Sequence, residues 1–458
     1  MKFDMFRVHF GDVGEWNERR WAMQKTRRVA SAVVGCGLAL SVLGGVAAAQ
    51  QPQLPASDKP AAILVWPKIV VDTSDILETS VGSTDTLIQL SSAVPTRGSK
   101  AGDLPFLKQA HCFYVDATGH CSNNPSAGCQ SSDDCIDEGS GITGSCDPGW
   151  TEVDFDIRIT PEQPLAWLAS EGLQNGDFPI QVPGTCSNNP RIACTSDDRC
   201  GGFKCILQPS NAGSGIPPTP EDPFVGSLTC IQFDPSSNPP APDTSPTANG
   251  LIGNAAIEVV LDETGGVDVQ KYNAVGIEKL CTFPAGATNC TVGAPISDTL
   301  ILGGPAGPAQ YQGCPARLIL NHLFDGAEDA FEGSGPVTTD LTLVPCGNDF
   351  LRQTPGKVTA QFLVFNEFEQ RFSTSANVDC FFESQISNID TPNNERSIFH
   401  FNVAGTLAGQ TIIRGIGSAP SGQGLLGVAR VFMDGINGAA YNLNEKGALS
   451  TPDVITIP

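Results

Sequence analysis

Glu367 and Glu369, in the stretch FLVFNEFEQRF, are the residues whose type and spacing best suit acid catalysis. Glycoside hydrolysis, for example, needs two carboxyl groups at a fixed separation across the bond that is cleaved. Both glutamates alternate with apolar Phe368, however, as the solvent-facing residues of an amphipathic strand do. Asp154 and Asp156 show the same alternation, so the sequence favours a structural role for these carboxylates.

Other catalytic motifs are absent from the sequence. It contains no G-x-S-x-G elbow, no H-E-x-x-H zinc motif, no C-x-x-C-H haem site and no Gly-rich phosphate loop before a helix. His111 and His322 lie within strand-like runs, where a hydrogen-bonded position in the core or on a sheet face is expected. The sequence therefore predicts no catalytic constellation and no resident cofactor.

Cysteine forms the strongest pattern in the chain. The stretches CSNNPSAGCQSSDDC and CSNNPRIACTSDDRC match at nine of fifteen positions, and a fourth cysteine follows each. We call them knot 1 (residues 121–146, with Cys121, Cys129, Cys135 and Cys146) and knot 2 (residues 186–205, with Cys186, Cys194, Cys200 and Cys205). The spacings, 7, 5 and 10 residues and then 7, 5 and 4, lack the C-x2-C arms of a zinc site. Two disulfides in each knot are predicted over zinc, with three possible pairings in each.

Further cysteine pairs are predicted from their surroundings. Cys112 and Cys230 each lie in an apolar strand-like run and are expected to bridge two strands. Cys281 and Cys290 flank the short loop TFPAGATN and are expected to pair.

A hairpin is predicted from LILNHLFD (318–325) and TTDLTLVPC (338–346). Its register places Cys314 near Cys346, which predicts a third bridge. Cys380 is then left over. Because it lies in an apolar run, a buried free thiol is favoured over an intermolecular bridge.

Adjacent aspartates in the knots are the candidate metal ligands. Asp133 and Asp134 in knot 1, and Asp197 and Asp198 in knot 2, could hold Ca²⁺ together with backbone carbonyls. Aspartates also close tight turns through hydrogen bonds to their own backbone, and this turn-capping role is favoured. Ca²⁺ is therefore the ion that these aspartates could bind.

The N-terminus resembles a secretory signal peptide over residues 1–49. Basic residues precede the apolar run 29–46, and Ala47 to Ala49 form a small-residue cleavage site. Met23 is a possible true start of this segment. The stretch before Cys36 also matches a lipidation box, but the apolar run continues beyond that cysteine, which favours a signal peptide. A polar leader, residues 50–60, follows, and no later run is long enough to span a membrane.

Charge and cysteine content indicate the compartment. The chain has 26 Lys and Arg against 49 Asp and Glu, a formal net charge of −23, which disfavours nucleic acid as a partner. Its 16 cysteines favour an oxidising environment. The protein is therefore predicted to be exported, and to be extracellular, at the cell surface or periplasmic.

Short apolar runs with a period of two predict an all-β fold. In TEVDFDIRIT (151–160), Val153, Phe155, Ile157 and Ile159 face one side of the predicted strand and charged residues face the other. The remaining runs are bounded by turn residues, with 49 Gly and 35 Pro in the chain as breaks. Strands are predicted at 61–72, 85–92, 110–117, 223–234, 250–260, 318–325, 338–346, 357–372, 379–385, 397–405 and 424–432.

Three short resemblances suggest that the second half repeats the first. DCFFESQ (379–385) resembles HCFYVDA (111–117), Ala404 to Leu407 resembles Val225 to Leu228, and GLLGVARVF resembles GLIGNAAIEV. We predict two tandem β-sandwiches, Ig-like or jelly-roll-like. Their bounds are residues 61–262, with both knots as insertions, and 347–458, with a connecting β segment at 263–346.

The pattern indicates a secreted or cell-surface protein that acts as a non-catalytic binding, adhesion or structural module. Loops on a rigid scaffold carry recognition in such proteins, and the knots are expected to contact an unknown surface ligand or protein. The alternatives are a secreted carbohydrate-active hydrolase that uses Glu367 and a structural component of a surface layer.

Overall fold

The described part of the chain is mainly β-strand, as the computed structural model shows. All described residues belong to one unit that runs from Gln50 to Pro458. The structure describes residues 55–73, 82–93, 108–129, 135–137, 142–147, 149–159, 163–174, 177, 184–194, 196–206, 215–233, 242–243, 248–261, 266–280, 298–303, 311–328, 335–417, 423–433, 437–449 and 451–458. No helix in these ranges is long and apolar enough to cross a membrane. The predicted signal peptide lies outside them.

The first half, residues 55–280, contains the following strands. They are β1 (Ile63–Val71), β2 (Thr84–Ser92), β3 (Lys108–Asp116), β4 (Gly119–Cys121), β5 (Asn124–Cys129), β6 (Ile136–Asp137), β7 (Ile142–Thr143), β8 (Cys146–Asp147), β9 (Thr151–Ile159), β10 (Pro164–Leu168), β11 (Gly184–Cys186), β12 (Asn189–Cys194), β13 (Cys205–Ile206), β14 (Phe224–Phe233), β15 (Leu251–Val260), β16 (Val267–Asn273) and β17 (Val275–Ile277). A 3₁₀ turn, Asp197–Cys200, lies within knot 2.

The second half, residues 311–458, follows a short linking strand, β18 (Thr299–Leu302). Its strands are β19 (Pro315–Leu323), β20 (Val337–Pro345), β21 (Lys357–Asn366), β22 (Arg371–Asp379), β23 (Phe382–Gln385), β24 (Ala408–Ile416), β25 (Leu425–Met433), β26 (Asn437–Asn442), β27 (Asn444–Ala448) and β28 (Asp453–Thr456). Between β23 and β24 lie two 3₁₀ turns and a four-residue α-helix, namely Ile386–Asn388, Asn394–Arg396 and α1 (Phe401–Ala404).

Four antiparallel sheets form the frame of the molecule. Sheet A has the order β17-β1-β14-β3-β9 and sheet B the order β10-β2-β15-β16. Sheet C has the order β22-β21-β24-β19-β27 and sheet D the order β23-β20-β25-β26. Small sheets form within the knots, with the orders β5-β4-β8, β6-β7 and β12-β11-β13, and β18 pairs with β28.

Apolar alternation explains why these segments are strands. In β9, Phe155, Ile157 and Ile159 are buried and Val153 is half-buried, while Thr151 at the start of the strand is exposed. Burying one face of such a strand removes apolar side chains from water, at about 25 cal/mol per Å² of apolar surface. The amphipathic β9 predicted from the sequence is therefore confirmed.

Each pair of sheets encloses one hydrophobic core. Core 1 lies between sheets A and B and includes Trp66 and Leu90. Core 3 lies between sheets C and D and includes Phe362 and Leu343. Core 2 covers the other face of sheet A and draws on both halves of the chain: Ile63, Phe113, Leu300, Phe350, Leu426 and Ile455 belong to it.

The two halves are joined along β16 and β26. The Arg430 Nε donates a 2.5 Å hydrogen bond to Gln270 Oε1, and the Gly438 amide donates to Asp268 Oδ2 at 3.0 Å. Core 2 is also shared between the halves.

The protein is thus all-β with several disulfides, and its small sheets have a propeller-like arrangement that does not divide clearly into two sandwiches. Residues 263–346, predicted as a connector, contribute strands to sheets of both halves.

The two halves nevertheless share one strand order. In sequence, β1, β2, β3, β9, β10, β14, β15, β16 and β17 correspond to β19 through β27. Under this correspondence, sheet A has the order of sheet C and sheet B the order of sheet D. Knot 1 lies between β3 and β9, and knot 2 lies between β10 and β14.

The predicted hairpin of 318–325 with 338–346 is wrong. Strand β19 pairs with β24 and β27 in sheet C, whereas β20 pairs with β23 and β25 in sheet D. Leu320 and Leu343 of these strands contribute to core 3 from different sheets, which places the strands on opposite sides of the core. Apolar burial therefore decides the arrangement, although the two runs are neighbours in sequence.

The strand predicted at 397–405 is also wrong, because the segment begins with a turn and then forms the short helix α1. The His400 side chain accepts a 3.1 Å hydrogen bond from the Asn402 amide and caps the first turn of the helix. Gly405, with φ of 68°, ends the helix in the left-handed conformation, which glycine adopts without a steric cost. Phe399 still contributes to core 3.

The pairing registers correct two of the three sequence resemblances. Gly226 lies opposite Asp116, and Gly409 lies opposite Asn366, so β3 corresponds to β21 and not to residues 379–385. Gly409, rather than Gly405, therefore matches Gly226. The third resemblance agrees with the registers. GLIG leads into β15, which begins opposite the end of β2, and GLLG leads into β25, which begins opposite the end of β20.

Candidate functional site

Glu367 and Glu369 lie in the turn that joins β21 to β22, not on a strand. Asn366 organises this turn, since its Oδ1 accepts hydrogen bonds from the amides of Phe368 at 3.0 Å and Gln370 at 2.9 Å. Both glutamates are exposed, and the side chain of Phe368 is 72% exposed. A Glu367-dependent hydrolase stays an untested alternative.

Asp154 and Asp156 lie on β9 beside His111 of β3. The His111 Nδ1 is 2.8 Å from Asp156 Oδ1, and its Nε2 is 3.5 Å from Asp154 Oδ2. His111 also packs against Phe113 and Phe233. This arrangement is a hydrogen-bonded group on the face of sheet A.

Both knots are stapled by disulfides, and the described bonds show a link between the first and the third cysteine in each. In knot 2, Cys186 is bonded to Cys200 and Cys194 to Cys205, so the first cysteine pairs with the third and the second with the fourth. In knot 1, Cys121 is bonded to Cys135, and Cys146 is also disulfide-bonded. The side chain of Cys129 lies outside the described residues. Disulfide bonding of these cysteines leaves no thiolate for zinc, which agrees with the sequence prediction.

Two predicted bridges outside the knots are present. Cys112 and Cys230 lie directly opposite each other in β3 and β14 and are bonded, with their Cα atoms 4.0 Å apart. Cys314 and Cys346 are bonded although the hairpin that suggested this pair does not form. Their bond instead connects the segments that lead into β19 and out of β20. Cys281 and Cys290 lie outside the described residues.

Cys380 is a buried free thiol, as predicted. Burial raises the pKa of its thiol well above the usual range, with smaller contributions from the charges of Asp116 and Asp379. A thiol that stays protonated is a poor nucleophile and a poor metal ligand.

Of the aspartates proposed as Ca²⁺ ligands, Asp197 has a structural contact. Its Oδ1 accepts a 2.6 Å hydrogen bond from the Cys205 amide, which connects the start of the 3₁₀ turn of knot 2 to β13. Asp198 is exposed in the same turn. The turn begins at Ser196 without a side-chain cap, so the turn-capping role expected of these aspartates stays a prediction. Asp133 and Asp134 lie outside the described residues.

Knot 2 and the residue that follows it expose large apolar side chains. Ile192 is 43% exposed, Phe203 53% and Ile206 55%, and we call these three residues the knot-2 face. The knot is only a few strands across, so its core consists of its cysteines and cannot also cover these side chains. Exposed charged residues of the same knot are Asp197, Asp198, Arg199 and Lys204.

A group of three polar side chains at the base of knot 1 was missed by the sequence analysis. Asp116 ends β3, His120 lies in β4, and Glu221 lies in the loop that leads from knot 2 into β14. One potential ligand atom of each residue lies within 4.8 Å of the others. These residues come from three separate segments, and the sequence offers no motif that connects them.

Hydrogen bonds hold Asp116 in place within this group. Its Oδ1 accepts from the Thr118 amide at 2.9 Å, and its Oδ2 accepts from Thr151 Oγ1 at 3.2 Å. Asp116 is only 2% exposed, whereas His120 and Glu221 are half-buried and reachable by solvent. Burial raises the pKa of the Glu221 carboxyl, and the neighbouring carboxylate of Asp116 raises it further.

Two atoms of the group lack hydrogen-bond partners among the described residues. They are Glu221 Oε1 and His120 Nδ1, both shielded from solvent. The His120 Nε2 lies 3.5 Å from Glu221 Oε1, which is beyond the usual range of a hydrogen bond. Buried polar atoms are normally paired, so an unpaired set in one place requires an explanation.

A second buried polar group joins the two halves. Lys68 of β1 is 1% exposed and its Nζ donates to Glu383 of β23, while Asp340 and Arg430 lie close enough to interact with it. Burial lowers the pKa of the Lys68 ammonium, and the charge of Glu383 opposes that effect. Glu383 and Asp340 attract this lysine and Arg430 repels it, so Lys68 belongs to a buried charge network between the two halves, in which Glu383 is its ion-pair partner.

No protein-family model matches the chain, and no curated protein matches it.

Proposed function

We propose that the protein is exported and acts as a non-catalytic binding module, with the knot-2 face as its contact surface. The observation that carries this proposal is the exposure of Ile192, Phe203 and Ile206 on a small, disulfide-stapled insertion. A rigid loop region that presents apolar side chains loses little entropy on binding, which favours recognition. We infer the same role for knot 1, which has the same disulfide pattern where it is described.

Export is supported by the disulfides and by the N-terminal sequence. Five bonds are described, two of them in core positions, and such bonds persist in oxidising compartments. The basic segment, apolar run and small residues of positions 1–49 have the order of a signal peptide. Release into the medium, retention at the surface and a periplasmic location all agree with these features.

We further infer that the two halves are sandwich-like and arose by duplication. Their shared strand order supports this, and so does a tertiary hydrogen bond that recurs in both. The Tyr272 hydroxyl donates to the carbonyl of Lys68, and the Tyr441 hydroxyl donates to the carbonyl of Asn321. These tyrosines occupy the same register position in β16 and β26, since each lies opposite an alanine of β15 or β25.

The partner that best fits the knot-2 face is a protein with an apolar centre and charges of both signs around it. Apolar side chains at the centre of an interface supply most of the binding energy. The exposed charged residues of knot 2 are two acidic and two basic ones, Asp197, Asp198, Arg199 and Lys204, so a mixed rim would be complementary. The whole chain has a net charge of −23. The same charge argues against nucleic acid.

Binding of the labelled full-length protein to washed cells of the producing organism tests the proposal. We expect saturable binding that weakens by about tenfold or more in the Phe203→Ser, Ile206→Ser variant, because these are the two most exposed apolar side chains of the face. The control is Val267→Ser with Val269→Ser, which changes two equally exposed apolar residues on the edge strand β16. Equal binding by all three proteins would remove the knot-2 face from consideration.

Turnover screens on glycans and glycosides separate this function from the hydrolase alternative. The proposal expects no turnover that depends on Glu367. Activity that is present in the wild-type protein and lost in Glu367→Gln would show that the protein is an enzyme.

A further inference from the structure

We propose that Asp116, His120 and Glu221 form a binding site for one divalent metal ion of the zinc class. The site would connect the base of knot 1 to the loop that follows knot 2. It is independent of the knot-2 face and of any binding partner. Nothing in the cysteine pattern or in the Ca²⁺ candidates of the knots pointed to it.

The separation of the side chains fits a metal ion between them. Zn²⁺ binds histidine nitrogen and carboxylate oxygen at roughly 2.0 to 2.2 Å, so two ligand atoms in a tetrahedral site lie about 3.4 Å apart. His120 Nε2 and Glu221 Oε1 are 3.5 Å apart, and the whole group converges within 4.8 Å. The Glu221 Oε1 has no hydrogen-bond partner among the described residues, so this buried oxygen is free to coordinate.

The second half shows what the same position does without a metal. Asn366 ends β21 as Asp116 ends β3, and each lies opposite a glycine of the matching strand, Gly409 or Gly226. The Asn366 Nδ2 donates a 2.9 Å hydrogen bond to the Ala404 carbonyl, in the segment just before β24. An amide donor thus connects the two loops directly.

Asp116 cannot make that connection, because an ionised carboxylate only accepts hydrogen bonds. The residue that it faces in the equivalent loop, just before β14, is Glu221, a second carboxyl group. Two such groups at close range repel each other when both are ionised, unless a proton or a cation lies between them. A metal ion bound between them would displace that proton and take the role that the Asn366 amide has in the second half.

The ligand set indicates the class of metal. An imidazole nitrogen with two carboxylate oxygens suits Zn²⁺ and related transition metals, whereas Ca²⁺ prefers six to eight oxygen ligands. Three protein ligands leave at least one coordination position for water. His120 and Glu221 are half-buried, which allows ions to enter from solvent.

Calorimetric titration of ZnCl₂ into the chelator-treated, full-length protein, with its disulfides intact, tests the site. We expect one ion per chain, and more than about 100-fold weaker binding in His120→Gln and in Glu221→Gln, since each removes a ligand. The matched control is His111→Gln. His111 also has two carboxylates beside it, but these do not converge with it into a three-ligand group.

Absence of binding to the wild-type protein, or equal binding by His120→Gln, would overturn the proposal. Substitution with Co²⁺ gives a second readout that does not depend on the variants being folded. Nitrogen and oxygen ligands should produce weak visible d–d bands from the wild-type protein. A strong near-ultraviolet thiolate band would contradict the ligand set and would point to Cys380 instead.

Discussion

The two halves of the molecule have the same strand order, but different interactions stabilise each half internally. In the first half, Cys112 and Cys230 are bonded across β3 and β14. The matching positions of β21 and β24 are Phe362 and Ile413, which lie opposite each other and are almost fully buried. At this position one half is closed by a covalent bond and the other by apolar packing, although the second half has a bond of its own between Cys314 and Cys346.

The loops differ in the same way. Between β3 and β9 the first half carries knot 1, whereas the second half has a four-residue turn organised by Asn366. The first half thus carries the larger insertions and most of the described disulfides. We infer that cross-links compensate for the long loops, because each loop adds conformational freedom to the unfolded chain.

Removing the Cys112–Cys230 bond should have the largest effect on stability. The bond closes a loop with a sequence separation of 118 residues, which corresponds to about 4 to 5 kcal/mol in the chain-entropy model. We expect Cys112→Ala with Cys230→Ala to lower the denaturant midpoint of the whole protein strongly. Equilibrium unfolding in urea measures this change.

The matched control is Cys194→Ala with Cys205→Ala. This bond spans only 11 residues and lies within knot 2, so its loss should affect the knot and leave the main transition nearly unchanged. If both pairs shift the main transition equally, knot 2 contributes to the frame and the comparison of the halves is wrong.

The pH dependence of the second half should be the next largest effect. Asp453 is fully buried, and burial raises its pKa from 3.8 to about 6, while hydrogen bonds from the amides of Gln423 and Gly424 oppose that rise. A raised pKa means that the folded state binds the proton more tightly than the unfolded state. The stability that this proton contributes is complete below about pH 4 and is lost as the pH rises through about 6.

Asp453→Asn isolates this effect, because asparagine keeps the oxygen that accepts both amides and has no charge. We expect the variant to be more stable than the wild-type protein at pH 7 by up to about 2 kcal/mol, with the difference vanishing near pH 4. Thermal unfolding at a series of pH values measures it. A difference that does not change with pH would mean that Asp453 does not titrate in this range.

The two equivalent tyrosines allow the halves to be compared at one hydrogen bond. Tyr272 is buried, and its oxygen also accepts a 3.3 Å hydrogen bond from the Lys68 amide, so Tyr272→Phe leaves two backbone groups unpaired. Tyr441 bonds a single carbonyl, that of Asn321, near solvent. We expect Tyr272→Phe to cost about 2 kcal/mol and Tyr441→Phe about 0.5 kcal/mol. Equal costs in urea unfolding would show that burial does not distinguish the two sites.

Local sequence patterns predicted the strands that have strong alternation. The strand β9 follows from its alternating Val, Phe and Ile residues, and the predicted pair Cys112–Cys230 follows from two apolar runs. These features depend on the chemistry of a few neighbouring residues. The turn at Glu367 was not predictable in the same way, because it depends on hydrogen bonds to the Asn366 side chain.

The long-range arrangement of the strands could not be predicted from the sequence. The runs that form β19 and β20 look like a hairpin, yet burial on opposite sides of core 3 places them in different sheets. The Cys314–Cys346 bond was therefore predicted correctly from an incorrect hairpin. His120 and Glu221 lie close together because the end of β3, the start of knot 1 and the loop before β14 are neighbours in the fold. No local sequence pattern indicates this proximity.

We expect the smallest effect from a substitution that gives the first half the same side chain as the second at one matching position. Asp116→Asn places at the end of β3 the residue that ends β21, and its amide could donate to Glu221 as Asn366 donates to Ala404. Without metal, we expect a gain of about 0.5 to 1 kcal/mol, because a carboxylate contact is replaced by a hydrogen bond. With Zn²⁺ present, the wild-type protein should gain thermal stability and the variant should not. If Zn²⁺ stabilises both proteins equally, Asp116 is not a ligand and the two loops of the first half are connected in another way.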